Sequence, residues 1–259
     1  MEAALAGKLP ELVTIGVIRG DLHVHSTWSD GAHTIGELAA AAQARGFTYM
    51  ALTDHSHGLG VAHGLTPERL REQRREVDSL NRKLSGFTIL HGTEMDIRGD
   101  GTLDFPDEVL AELDIVVASI HSGFKQTREQ ITARICAAMR NPHVHIIAHP
   151  TGRLLGERDP YEVDLDEVVQ VARETGTALE ISAYPLRLDL NDFWERRAKE
   201  AGVLLTVNTD THVLSQFDTL AYGVAIARRA WLEKGDILNC LGLPALRARL
   251  AAKRKRAKR

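Results

Sequence analysis

His23 and His25 are separated by one residue at the end of an apolar run, and Asp30 follows in a turn-like stretch. A β-strand points residues i and i+2 to the same side, so both imidazoles are expected to face the same way from one strand end. Two imidazoles and a nearby carboxylate are typical ligands of divalent transition metals. The pattern therefore indicates a metal site, with a pair of ordinary strand histidines as the alternative.

A histidine or carboxylate after a short apolar run is a feature that recurs along the chain. Six of seven such runs end this way, whereas the sixth run ends in Glu180-Ile181-Ser182 without an obvious ligand. The nine candidate ligands are His23, His25, Asp30, His55, Glu94, His121, His149, Asp210 and His212. One zinc or iron ion takes about three or four protein ligands. Nine candidates therefore predict two or three ions with a bridging carboxylate, although any single histidine could simply terminate a strand.

Three further residues lie beside these candidates. Asp54 directly precedes His55 and could orient an imidazole by hydrogen bonding. His57 and His63 lie in a glycine-rich loop, where they could contact substrate or be solvated.

The seven apolar runs alternate with helical patterns, and this alternation predicts how the candidates are positioned. The runs lie near residues 20–24, 48–52, 87–90, 115–120, 144–148, 178–181 and 203–207. The helical patterns lie near 34–42, 67–83, 127–139, 165–174, 192–201 and 219–232. This spacing predicts parallel strands with helical crossovers, and seven unbroken units favour a closed barrel. Such a barrel gathers the carboxyl ends of its strands at one rim, where these folds place their chemistry.

The overall composition is that of a soluble globular protein. The 259 residues are 44% hydrophobic and 26% charged, and no apolar run approaches the length of a membrane span. The first twenty residues lack a signal-peptide pattern, so we expect a cytoplasmic protein. Cys136 and Cys240 lie in helix-like segments without C-x-x-C spacing, which predicts buried free thiols.

The charge is unevenly distributed along the chain. Residues 253–259 carry six basic side chains, and removing these six positive charges from the net −3 leaves −9. A carboxylate-rich body is compatible with cation binding, and the basic tail could contact nucleic-acid phosphates. A solvated helix end is the alternative interpretation of the tail.

Taken in order, these motifs resemble the PHP (polymerase and histidinol phosphatase) family over about residues 19–232. His-x-His, Thr-Asp-His, a mid-chain Glu, isolated His residues after strands and a late Asp-x-His are that family's motifs. Longer stretches resemble the C-terminal PHP domain of bacterial family X DNA polymerases, namely 94–97, 104–108, 121–125, 149–156, 187–190, 222–223, 228–229 and 231–234.

The resemblance implies an α/β fold, a distorted (β/α)7 TIM-like barrel forming a single domain with a trinuclear metal site. It groups the ligands as His23, His25, Glu94 and Asp210; Glu94, His121 and His149; and Asp30, His55 and His212. The first group is also the expected catalytic centre. The polymerase-type members carry Asp at the position of Asp30, where many family phosphatases have His. A carboxylate there favours harder ions, so Mn²⁺ is expected for activity, with zinc or iron as alternatives.

The resemblance also implies hydrolysis of DNA phosphoesters by a metal-activated hydroxide. The expected activities are 3′–5′ exonuclease, 3′-phosphatase or phosphodiesterase, and cleavage at abasic sites. Lys125, Arg153 and Arg187 are expected to neutralise phosphate oxygens, with ordinary rim salt bridges as the alternative. Ser182 stands where polymerase-type members usually carry Asn, so contacts with substrate near that strand are expected to differ.

The expected organisation is a lead-in at 1–18, the PHP metallo-phosphoesterase domain at 19–250 and a basic tail at 251–259. The expected partners are DNA ends, nicks, gaps or abasic sites, and polymerase domains absent from this chain. No membrane partner is expected. Two other functions stay open: a small-molecule phosphatase of the histidinol-phosphatase type, and a non-catalytic, metal-stabilised module of a polymerase.

Overall fold

Seven parallel strands form one sheet in the computed structural model, which describes residues 5–7 and 9–256. The strands are β1 (Gly20–Val24), β2 (Tyr49–Leu52), β3 (Thr88–Asp96), β4 (Ile115–Ser119), β5 (Ile146–Ile147), β6 (Ala178–Ser182) and β7 (Leu205–Asn208). Their order in the sheet is the order in the sequence, as expected for successive strand–helix–strand units. The seven predicted runs are confirmed, although β5 is reduced to two residues.

The sheet closes into a barrel between β1 and β7. Val24 and Thr211 form a parallel bridge just beyond the end of β7. At the amino-terminal end of β1, the buried side-chain amide of Asn239 replaces strand pairing. Its Nδ2 donates to the carbonyl oxygens of Gly20 and Val207 at 3.0 Å each. Its Oδ1 accepts from the Val207 amide at 2.9 Å. One side chain therefore joins the two strands, and the predicted α/β barrel is confirmed.

Helices connect successive strands around the barrel. The described helices are α1 (Ile35–Ala44), α2 (Pro67–Asn81), α3 (Asp107–Ala111), α4 (Arg128–Arg140), α5 (Leu165–Thr175), α6 (Asp192–Glu200), α7 (Leu220–Arg229) and α8 (Leu243–Arg256). Six coincide with predicted patterns, and α1 and α4 begin at capping boxes on Thr34 and Thr127. Helix α3 escaped prediction because it has only five residues, and α8 because its last turns are strongly basic.

The half of the barrel nearer the amino-terminal ends of the strands is filled by apolar side chains. Leu22, Tyr49 and Leu90 of the first three strands pack in one cluster with Leu246 and Leu250 of α8. Fully burying a leucine side chain contributes about 2 kcal/mol, so this contact fixes α8 against the barrel. Helix α8 thereby closes the amino-terminal end of the strands and leaves the carboxyl-terminal end for polar side chains.

The first part of the basic tail belongs to α8. The Lys253 Nζ donates to the Met139 carbonyl at 2.7 Å, and the Arg254 Nη2 donates to the Leu113 carbonyl at 2.5 Å. The solvated-end interpretation is therefore wrong for these two side chains. Residues 257–259 of the tail, and residues 1–4 and 8 of the lead-in, lie outside the described residues. In the described part of the chain, no helix combines the length and apolarity needed to cross a membrane. Cys136 and Cys240 are buried and unpaired, as predicted.

Candidate metal centre

Glu94, near the end of β3, lies at the centre of the rim and brings the candidate ligands together. It is 1% exposed. Five imidazoles lie within 3.5 Å of its carboxylate oxygens: His23 at 3.2 Å, His25 at 3.5 Å, His55 at 3.1 Å, His121 at 3.3 Å and His149 at 3.0 Å. A carboxylate that faces several imidazoles from both oxygens is suited to bridge two ions.

Asp210 and Asp30 extend the cluster on either side of His25. The Asp210 Oδ1 lies 3.2 Å from the His25 Nε2, and the Asp30 Oδ1 lies 3.7 Å from the His25 Nδ1. The Asp30 Oδ2 lies 3.4 Å from the His212 Nε2 and 3.5 Å from the His55 Nε2. All nine predicted ligands are therefore in one continuous cluster.

Three groups of ligand atoms within this cluster each lie within 4.8 Å of one another. Within the described chain they are His23, His25, Glu94 and Asp210; His55, Glu94 and His121; and His25, Asp30, His55 and His212. The first group equals the one that the resemblance implies. The second has His55 where His149 was expected, although both rings approach Glu94. The division of the nine side chains among three ions stays a prediction.

Unpartnered ring nitrogens in the cluster fit a metal ion. The His23 Nε2 and both ring nitrogens of His25 are buried and make no hydrogen bond, despite the nearby carboxylates. A buried polar atom without a partner costs about 1–3 kcal/mol, so these nitrogens need a partner that the protein does not supply. A divalent cation accepts the lone pair that each neutral ring offers on one of its two nitrogens and neutralises the adjoining carboxylates, and the residues present fit it.

The two central carboxylates are held in their charged forms. Burial opposes ionisation of Glu94, but the nearby His55 and His23 outweigh it and hold the pKa of Glu94 well below its usual range. Burial also opposes ionisation of Asp210, and His23 and His25 lower the pKa of that carboxyl in the same way. Burial lowers the pKa of His25 to about 3, so this ring is neutral and its lone pair is free for a ligand bond.

Glu180 of β6 is a functional residue that the sequence reading missed. It is fully buried, and its Oε1 lies 2.8 Å from the His23 Nδ1, which leaves the Nε2 of that ring facing Glu94. Its Oε2 accepts from the main-chain amide of His149 at 2.8 Å. A carboxylate behind a ligating imidazole fixes its tautomer and ring orientation. The available signal was one acid inside an otherwise apolar strand.

The predicted role of Asp54 is wrong, and Asp96 has that role for a different ring. The Asp54 carboxylate accepts from the Ser26 amide at 2.8 Å, the Ser29 hydroxyl at 2.5 Å and the Gln73 amide at 2.6 Å. It therefore anchors the loop after β1 and orients no imidazole. The Asp96 Oδ1 lies 3.3 Å from the Nδ1 of His121.

The three side chains predicted to bind phosphate lie in three different environments. The Arg187 Nε lies 3.6 Å from the Asp210 Oδ2, and its Nε and Nη1 are buried without hydrogen-bond partners. Arg153 instead donates to main-chain carbonyls of the loop that carries Arg187. Lys125 is exposed at the surface. Only Arg187 of the three contacts a candidate metal ligand in the described structure.

Strained backbone occurs at two of the candidate ligands. His149 has a φ of 28° and Asp210 a φ of 54°, in the left-handed region that non-glycine residues rarely adopt. Such strain tends to accumulate at functional sites. His57 and His63 are exposed and lie outside the cluster of ligands; the ring of His57 lies 5.4 Å from that of Phe105.

Histidines and carboxylates gathered at the carboxyl ends of parallel barrel strands are the arrangement of a metal-dependent hydrolase. A model of the family described as PHP domain matches residues 21–183, and the chain belongs to that family.

Relatives with similar sequences include a DNA polymerase and proteins described as probable phosphatases. The chain is 53% identical over 233 residues to the DNA polymerase/3′-5′ exonuclease PolX of Bacillus subtilis (strain 168). That match covers 90% of this chain and 41% of the relative, so this chain spans less than half of that protein. The chain is 30% identical over 231 residues to a protein of Thermoanaerobacter sp. (strain X514) described as a probable phosphatase, covering 85% of this chain and 89% of that protein.

Solved structures with the same fold include histidinol phosphatases. The histidinol phosphate phosphatase of Lactococcus lactis, solved with zinc, L-histidinol and phosphate, superposes with a TM-score of 0.61 at 20% identity. The superposition covers 82% of this chain and 93% of that one. At this identity the likeness supports the barrel fold alone.

Proposed function

We propose that the chain hydrolyses phosphoesters at DNA ends, as a 3′–5′ exonuclease and a 3′-phosphatase or phosphodiesterase, with incision at abasic sites as a further activity. The observation that carries the proposal is the cluster of nine candidate ligands, centred on Glu94, with Arg187 beside Asp210, where its Nε and Nη1 have no hydrogen-bond partner among the described residues. A multi-ion site next to a largely buried guanidinium is suited to a phosphate group, which needs several positive charges at once.

The proposed cofactors are three divalent ions, with Mn²⁺ for activity and zinc or iron as alternatives. When bound, divalent ions at such a site supply a water of lowered pKa and neutralise phosphate oxygens. The residues that would hold them are His23, His25, Asp30, His55, Glu94, His121, His149, Asp210 and His212. The carboxylate of Asp30 favours a harder ion than an imidazole would.

The exposure of the candidate ligands supports one direction of substrate entry. His23 and Glu94 are 0% and 1% exposed, whereas the side chains of Asp30 and His212 are each 30% exposed. The phosphate therefore enters on the Asp30 and His212 side. From there its oxygens reach Arg187, whose charge stabilises the negative charge that develops during attack.

The choice of DNA as substrate is supported by the relative named for polymerase and exonuclease activities, which is 53% identical to this chain. Polymerase domains are the corresponding proposed partners. The alternative function is a small-molecule phosphatase, supported by the relatives described as probable phosphatases. A non-catalytic module is disfavoured because every predicted ligand is present in the cluster.

The test is hydrolysis by the Mn²⁺-loaded chain of three substrates, compared with the chelated chain. The substrates are a 5′-labelled oligonucleotide, the same oligonucleotide with a 3′-phosphate, and histidinol phosphate. We expect turnover of both oligonucleotides, and loss of at least about 10³-fold activity in His23→Ala but not in His143→Ala, a half-buried histidine that precedes β5, at the strand end opposite the ligands. Turnover of histidinol phosphate alone would establish the alternative, and no turnover at all would favour the non-catalytic module.

A further inference from the structure

The segment 184–190 after β6 carries Arg187 to the metal ligands and is tied to the neighbouring loop after β5. The Arg153 Nε donates to the carbonyl of Arg187 at 2.7 Å, and its Nη2 donates to the carbonyl of Leu188. The amide of Leu155 donates to the carbonyl of Leu186 at 2.5 Å. Three successive carbonyls of this segment are therefore bound from outside.

A second tie lies at the end of the same segment. The Asp189 Oδ2 accepts from the Thr151 amide at 2.8 Å, and the Asp189 carbonyl accepts from the Ser182 amide at 2.5 Å. Asp189 is fully buried. The segment is thus held between β6 and the loop after β5, and its position is set by bonds to its main chain.

The guanidinium of Arg187 has no comparable support of its own. Its Nε and Nη1 are buried without hydrogen-bond partners, and the nearest acidic atom is the Asp210 Oδ2 at 3.6 Å. The next residue, Leu188, has a φ of 43°, a left-handed conformation that is unfavourable for leucine. The bonds from Arg153 and Leu155 therefore support, from outside the segment, a conformation that is unfavourable at Leu188.

We propose that Arg153 is a positioning residue, which acts through the main chain of 187–188 to hold the Arg187 guanidinium beside Asp210. The planar fork of an arginine donates to two successive carbonyls at once, and a lysine has no such geometry. This inference rests on the proposed function in one respect: Arg187 is taken to contact the substrate phosphate. It replaces the expectation that Arg153 contacts the phosphate directly.

The kinetic test is a double-mutant cycle on the Mn²⁺-loaded chain with p-nitrophenyl phosphate as substrate and inorganic phosphate as inhibitor. Since a displacement of about 1 Å near the reacting groups costs up to about 10²-fold, we expect Arg153→Lys to lower kcat/KM and weaken phosphate inhibition about ten-fold. In an Arg187→Ala background the same change should have less than about a two-fold effect. If Arg153→Lys lowers kcat/KM by the same factor with and without Arg187→Ala, Arg153 does not act through Arg187. Wild-type kinetics in Arg153→Lys would exclude a positioning role.

The matched control is Arg158→Lys in the loop that also carries Arg153. The Arg158 Nε donates to the Gly152 carbonyl at 2.9 Å, and its guanidinium lies 4.2 Å from the ring centroid of Phe124. It makes no hydrogen bond to segment 184–190 among the described contacts. The control should keep kinetics within about two-fold of wild type; a loss equal to that of Arg153→Lys would mean a general effect of the loop.

Amide hydrogen exchange of the metal-free chain gives a readout that does not depend on activity. The amides of Arg187 and Leu188 both donate to the Tyr184 carbonyl, and their exchange should be faster in Arg153→Lys than in Arg158→Lys. Unchanged exchange would refute the anchoring. If Arg153→Lys does not fold, Arg153→Gln, which retains one donor group, is measured in the same way. A wild type without phosphoesterase activity would refute the proposed function, while the exchange rates would still test the anchoring.

Discussion

The His23 Nδ1 lies 2.8 Å from the Oε1 of Glu180, and both side chains are completely buried in the barrel. The bond joins the first strand to the sixth and leaves the other ring nitrogen of His23 between Glu94 and Asp210, 3.2 Å and 3.5 Å from their nearest oxygens. Glu180 thereby connects the hydrogen-bonded interior of the barrel to the candidate metal ligands at its rim.

Replacing Glu180 by glutamine should weaken metal binding without unfolding the chain. The amide keeps the size of the side chain but loses the charge that fixes the His23 ring, and loss of such a partner typically costs 10–100-fold in metal affinity. Titration with Mn²⁺, followed by elemental analysis of the dialysed protein, measures this effect. Glu174→Gln, on the exposed face of α5, is the control. Equal affinities in the two variants would contradict the role of Glu180.

Metal loading should also raise the melting temperature. A ligand that binds only the folded chain stabilises it by about 2.7 kcal/mol at a concentration of 100 times Kd, which is a shift of roughly 5–10 °C for a chain of this size. Calorimetry of the chelated and Mn²⁺-loaded protein measures the shift, which should shrink in Asp210→Ala. An identical melting temperature in both forms of the wild type would argue against a built metal centre.

The ligands of the cluster were visible in the sequence because each lies at the carboxyl end of a strand or in the loop that follows it, where residue type and position together carry the signal. Glu94 is an example. Its strand was predicted from the run at 87–90, and β3 extends six residues beyond that run, to Asp96, so that it includes Glu94. The positions of all seven strands followed from the same alternation of apolar runs and helical patterns.

The supporting residues were not predictable in this way, because their roles depend on contacts between distant parts of the chain. Glu180 meets His23 across 157 positions, and Asn239 joins β1 to β7 across 219 and 32 positions. Arg153 has the residue type of a phosphate ligand, and only the fold shows that its donors are directed to the carbonyls of a neighbouring loop. Lys253 similarly has the sequence context of a solvated tail but is buried against α4.

Lys253→Met should destabilise the chain, in contrast to a change of the exposed Lys255. The Lys253 Nζ donates to the Met139 carbonyl at the end of α4, and the side chain is 6% exposed. The Met139 carbonyl keeps the Thr177 hydroxyl at 3.3 Å as a partner, so the loss is that of one hydrogen bond to a charged group, about 1.5–3 kcal/mol. Urea unfolding of Lys253→Met and Lys255→Met measures the difference. Equal free energies of unfolding would mean that the contact contributes nothing to stability.

Glu195 in the first turn of α6 should make the chain less stable as the pH rises. The side chain is completely buried, and neither carboxylate oxygen has a hydrogen-bond partner among the described contacts. Burial raises the pKa of Glu195 well above its usual value of 4.5, and the nearby Asp192 and Asp189 raise it further. Above about pH 4.5 the unfolded chain therefore releases a proton that the folded chain retains. The free energy of unfolding should fall by about 1.4 kcal/mol per pH unit from there up to the folded-state pKa.

Glu195→Gln removes this titration and should flatten the dependence of stability on pH. Urea unfolding at pH 5, 6 and 7 measures it, and the advantage of the variant over wild type should grow with each step because only the wild type loses stability to this carboxyl. Glu200→Gln, which changes an exposed acid of the same helix, is the control and should run parallel to wild type. If the free energy of unfolding of Glu195→Gln changes with pH as that of wild type does, the buried carboxyl is ionised at no cost in the folded chain. A cation such as the neighbouring Arg153 must then compensate its charge.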